Sequence, residues 1–169
     1  MTVPDSAAPS FAPLLEIALG TETFAANWDH CDRIATYVAR MVSHNRTDSL
    51  LYSNLFSSAL NELLETAFRA HHKDGDISCT VSRAGPVDRI ELTIPCDEKL
   101  RSFYQNAIND LSAADVADRY VAALLAEGDL DPRIGLLELA VDYKAKLALA
   151  PLSGNKLLLV ADLSLEEVN

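Results

Sequence analysis

Apolar residues recur along this chain with two different periods, and the change from one to the other divides it. From Asn27 to His44, Cys31, Ile34, Ala35, Val38, Met41 and Val42 return at helical spacing, which predicts an amphipathic helix with Asn27 as its cap. Asn45 to Asp48 form a polar break. Beyond it Leu51, Leu55, Leu60, Leu63, Leu64, Ala67 and Phe68 predict a longer helix from Ser49 to His72, and so short a connection predicts that the two helices pack as a hairpin. The period then falls to two. Ile77, Cys79 and Val81 alternate with Ser78, Thr80 and Ser82, Gly85 and Pro86 turn the chain, and Ile90, Leu92 and Ile94 alternate with Glu91 and Thr93. This is the pattern of an antiparallel hairpin with one buried face.

Elsewhere the pattern is less regular. Residues 1–12 hold two prolines and no periodicity, so they are expected to be flexible, with a short strand at Leu14 to Leu19 after them. Residues 13–169 are expected to form one domain. Lys99 to Leu111 mixes both periods and predicts no element. Ser112 with Asp115 three residues later resembles a helix start that Gly128 can end, and Asp131-Pro132 open a further helix with Ile134, Leu137, Ala140 and Val141 on one face. Lys144 to Ala150 alternates charged and apolar residues, Pro151 to Asn155 turn, and Lys156 to Leu163 is apolar on both sides, as a central strand would be. This order predicts an α+β two-layer sandwich, a mixed sheet with helices on one face.

Composition narrows the partners. In 169 residues, 49% are apolar, enough for a substantial core, while 25 acidic side chains oppose 14 basic ones. The resulting net charge of -11 repels phosphate backbones and anionic headgroups, which argues against nucleic-acid and membrane partners. The three cysteines, Cys31, Cys79 and Cys96, are an odd number without CxxC spacing, so they are expected to be reduced core residues. With neither a leader-like opening nor a membrane-length apolar run, a cytoplasmic protein is expected.

Candidate chemistry lies in the second helix, where residues 61–72 read NELLETAFRAHH. Spacings of four and three put Glu62, Thr66 and Arg69 on one side of that helix, with Glu65 beside them. The stretch resembles the helix of histidine-kinase-like (GHKL) ATPases in which an acid is followed four residues later by Asn-Ala and then by a basic residue. The order of elements resembles that fold as well. The resemblance implies that Glu62 stands where a carboxylate handles protons near the terminal phosphate, Thr66 where an amide helps hold Mg²⁺, and Arg69 where a cation steadies phosphate charge. By the same resemblance Asp97, in Pro95-Cys96-Asp97-Glu98-Lys99, stands near the adenine-reading position, and Gly135, in Arg133-Ile134-Gly135-Leu136, is what remains of a phosphate-wrapping Gly-x-Gly segment. Asn27-Trp28 through Tyr37 and the run Gly135 to Tyr143 further resemble small bacterial regulators related to SiaB-type partner-switching kinases.

The chain departs from the family pattern where the nucleotide would sit. Thr66 replaces the asparagine, no glycine flanks Asp97, and one glycine of the second loop is left. A hydroxyl reaches less far than an amide and is a poorer Mg²⁺ ligand, and bulky residues fill space that glycines leave open. The expectation is a pseudokinase regulator or adaptor that binds no cofactor. It would act on a STAS-like or response-regulator partner and form a homodimer through its first two helices. The alternative is an active Ser/Thr protein kinase using ATP and Mg²⁺, with Glu62 as base, Thr66 supplying an oxygen to the metal and Asp97 reading adenine. Plainer accounts stand beside both: Glu62 as a solvated face residue, Thr66 bonding back to a carbonyl, and an ordinary structural domain. His30, His44 and the pair His71-His72 lack metal-binding spacing, so no metal site is expected, and His44 lacks the acidic neighbour of a phosphoacceptor.

Overall fold

The alternating segments and the last apolar run form a single sheet. This computed structural model describes residues 8–22, 29–70 and 75–167. Its strands are β1 (Ala12–Gly20), β2 (Asp76–Ala84), β3 (Val87–Pro95), β4 (Lys146–Leu152) and β5 (Lys156–Leu163), in the spatial order β1-β2-β3-β5-β4. The Asn27 cap, Trp28 and the His71-His72 pair lie outside the described residues.

Every strand pairing is antiparallel, which corrects the expected mixed sheet. The reason is the position of β5. After a tight turn, in which Gly154 (φ 75) and Asn155 (φ 56) take the left-handed conformation, β5 enters between β3 and β4. β3 and β4 run the same way but never touch, so no parallel ladder forms. The apolar character of both faces of β5 thus marks a strand flanked on each side.

Ile77, Cys79 and Val81 from β2, Ile90, Leu92 and Ile94 from β3, and Leu157, Leu159, Ala161 and Leu163 from β5 are buried on one face. Thr80, Glu91 and Val160, neighbours across the strands on the other face, are half-buried. On that face Arg89 grips Asp162 through two bonds of 2.7 and 2.9 Å, and its guanidinium lies 4.0 Å from the centre of the Phe11 ring. Phe11 falls in the segment expected to be flexible.

Helices cover the core face. They are α1 (Asp29–Val42), α2 (Ser49–Ala70), α3 (Glu98–Leu111), α4 (Val116–Leu125) and α5 (Ile134–Val141). α1 and α2 form the expected hairpin, with Thr36 and Ser57 hydroxyls 3.3 Å apart across it and Phe56, Leu60, Leu63 and Leu64 wholly buried. Each such side chain contributes about 1.5–3 kcal/mol relative to exposure. α3 occupies the stretch for which no element was expected. Its buried stripe is only Leu100, Tyr104 and Ala107, too narrow to read against the polar residues around it. Ser112, expected to begin a helix, is instead the C-cap of α3, and Asp115 is the N-cap of α4.

A buried ionic knot ties the hairpin of helices to the β2–β3 turn. Asp88 is fully buried and accepts bonds from Arg83 Nε (2.6 Å), Arg83 Nη2 (2.9 Å), Arg46 Nη2 (2.9 Å) and the Tyr52 hydroxyl. The three cysteines are buried and unpaired in disulfides. No helix among the described residues is long and apolar enough to cross a membrane.

Candidate functional site

Three of the five residues singled out in the sequence meet where α5 crosses α2. α5 is launched by Asp131, whose carboxylate accepts from the Arg133 amide at 2.8 Å and whose carbonyl accepts from the Ile134 amide at 3.0 Å. Gly135 then falls in the first turn of α5, against Glu62 and Thr66 on α2. The approach is close: a Cβ at position 135 would lie 2.5 Å from Thr66 Oγ1, 3.0 Å from Glu62 Oε2 and 3.4 Å from the Glu62 carbonyl. Thr66 is 1% exposed. Glycine is required here for the contact and not for a loop.

The carboxylates around this crossing repel one another. Burial pushes the Glu62 carboxyl up to about 7, Glu138 and Glu65 push the same way, and Arg69 opposes them. Glu138, three residues after Gly135, is raised by burial and then by Asp142 and Glu65. The Tyr120 hydroxyl of α4 donates to Asp142 Oδ2 at 3.2 Å and is itself pushed up to about 12, first by burial and then by Glu138 and Asp142. Glu62 therefore exchanges its proton near neutral pH, which suits a general acid or base. Glu138, Asp142 and Tyr120 were not singled out in the sequence. For Glu138 and Asp142 the signal is the spacing of three and four from Gly135 through Glu138 to Asp142, and Tyr120, on α4, has none.

Arg69 and Asp97 are engaged locally. Glu65 accepts from Asn61 Nδ2 at 2.9 Å and from Arg69 Nη2 at 3.0 Å, a ladder along one strip of α2. Arg69 still lowers the Glu62 carboxyl through space. Asp97 caps α3, its carboxylate accepting from the Leu100 amide at 2.8 Å, and Cys96 Sγ donates to its carbonyl at 3.2 Å. That cap accounts for an aspartate at this position without a ligand.

Thr66 and Gly135 lie too close together for a metal ion to sit between them. Mg²⁺ requires near-octahedral oxygens at about 2.0–2.1 Å, and between Thr66 Oγ1 and the Gly135 backbone there is no room for a methyl group. Among the described residues, no group of three or more His, Cys, Asp or Glu side chains is placed to hold a metal ion. Compared with known protein families, characterised proteins and solved structures, the chain matches none of them.

Proposed function

We propose that this protein is a signalling regulator that acts by protein contact, on a scaffold resembling the histidine-kinase-like ATPases whose nucleotide site has closed. One observation supports this reading: Gly135 lies so close to Thr66 and Glu62 that a methyl group at residue 135 would come within 2.5 Å of Thr66 Oγ1, which leaves no gap for a ligand between α5 and α2 at that point. The partner expected from the resemblance is a STAS-like or response-regulator protein.

A second reading has its own support. Glu62, held near 7, has the proton affinity of a working base, as in an active Ser/Thr protein kinase of the partner-switch type. Titration calorimetry of ATP with Mg²⁺ separates the two. The regulator reading expects no heat of binding. Micromolar binding that disappears in Glu62→Ala would overturn it in favour of the kinase.

A further inference from the structure

α4 is apolar along much of its length, yet none of its residues is buried. It packs on α5 and leaves a groove between itself and α3. Ala122, Ala123 and Ala126, from α4 and its end, and the charged pairs of Asp110 and Asp131 with Arg119 and Arg133 line the walls, over a floor of Leu136 and Leu137. This space, of about 380 Å³, adjoins a second of about 620 Å³ that shares Ala123 and Ala126 and extends along Phe103 and Leu130. Ala122, Ala123 and Ala126 recur at three- and four-residue steps, so one whole side of α4 faces the groove. Leu130, which lines the second space, is 59% exposed. A trough of small side chains with an exposed leucine at one end matches side chains presented in a row, as on a helix.

Charge decides which helix. Between Phe103 and Leu137 the chain carries six carboxylates, Asp110, Asp115, Asp118, Glu127, Asp129 and Asp131, against Arg119 and Arg133. Both arginines are already paired, Arg119 with Asp110 (3.1 Å) and Asp115 (2.9 Å), and Arg133 with Asp131 (2.9 Å) and Asp110. Those pairs leave Asp118, Glu127 and Asp129 in excess, and a second copy of this chain would set two such acidic segments against each other, on molecules of net charge -11. We infer that the groove between α3 and α4 binds an amphipathic helix of a partner protein whose apolar stripe is flanked by lysine or arginine. Glu62, Thr66 and Gly135 line neither space, so nucleotide binding at the crossing would overturn the closed-site reading and leave this one standing.

The test uses the full chain and a fluorescent synthetic peptide of leucine and lysine at helical spacing, about 20 residues long. The expected result is saturable micromolar binding by fluorescence anisotropy, with amide shifts in NMR spectra concentrated within residues 103–137. Ala126→Lys, which puts a cation into the trough, and Leu130→Ser, which removes an apolar contact without changing charge, should each weaken binding roughly tenfold or more. Leu50→Asp alters an exposed leucine on α2 that does not line the groove and should leave binding unchanged. Equal binding by all three variants, or by a peptide with glutamate in place of lysine, would overturn the inference. So would a concentration-dependent dimer in ultracentrifugation that Leu130→Ser abolishes, because a second copy would then fill the groove.

Discussion

Gly135 on α5 and Thr66 on α2 touch with nothing between them, the threonine hydroxyl lying 2.5 Å from where a Cβ on residue 135 would stand. A glycine inside a helix costs about 0.5–1 kcal/mol relative to alanine, so Gly135→Ala would stabilise α5 if only the helix mattered. Here the added methyl meets a buried hydroxyl at 2.5 Å, with Glu62 Oε2 at 3.0 Å and the Glu62 backbone carbonyl at 3.4 Å closing the space around it. Overpacking of this kind costs about 1–3 kcal/mol, and the clash outweighs the helix gain. Gly135→Ala should lower the urea midpoint. Combining it with Thr66→Ala should recover part of the loss, and additive effects of the two substitutions would refute direct contact.

Asp88 and Arg89 are sequence neighbours on opposite faces of β3, and they predict opposite outcomes. Asp88→Asn leaves Arg46 and Arg83 facing a neutral group in a site where the carboxylate was fully buried. Removing one partner of such a cluster costs about 3–5 kcal/mol. Asp162→Asn breaks the pair with Arg89 on the open face, where both side chains keep about a quarter to a third of their exposure (32% and 24%). Exposed pairs contribute about 0–1 kcal/mol. Urea unfolding of both variants should therefore give a large and a small loss, and equal losses would contradict the burial assigned to Asp88.

The sequence disclosed elements where burial was one-sided and regular. α1, α2 and the β2–β3 hairpin were legible because each buries one continuous stripe, and β5 because its neighbours lie on both sides. α3 was not, since Leu100, Tyr104 and Ala107 are its only buried residues and Asp97 was read as a ligand-binding residue, not a cap. The sheet's antiparallel character depends on β5 passing between β3 and β4, a long-range choice that no local pattern encodes. At the crossing, Glu62, Thr66 and Gly135 were each found by the resemblance, and spacing put the first two on one side of α2. That they press on one another could not be read, because it depends on how α5 lies across α2.

The cysteines give a direct measure of core integrity. Cys31 and Cys79 are fully buried, and burial pushes both thiols up to about 12, so neither is ionised near neutral pH. Cys96 is 4% exposed. An aromatic disulfide reagent should react with the native protein only as fast as the chain opens, and with all three thiols at once in denaturant. Rapid release from one thiol in the native state would show that the cysteine concerned is not where the structure puts it.

Glu62 makes stability depend on pH with a definite sign. Its carboxyl is held at about 7 against an ordinary 4.5, so between those values the folded chain keeps a proton that the unfolded chain has lost. Where the folded state binds more protons, stability falls as pH rises, and this loss runs through the window from 4.5 to about 7. Glu138 shifts in the same direction and adds to the slope. Other carboxylates differ, since Arg133 holds Asp131 below its usual range, and the clean quantity is the difference between wild type and a variant. Glu62→Gln keeps the shape of the protonated acid and removes its titration. The variant should match wild type below the window and exceed it above, with a flatter dependence between. Parallel curves for the two proteins across the whole range would mean that Glu62 is solvated, and that α5 does not press on it as described.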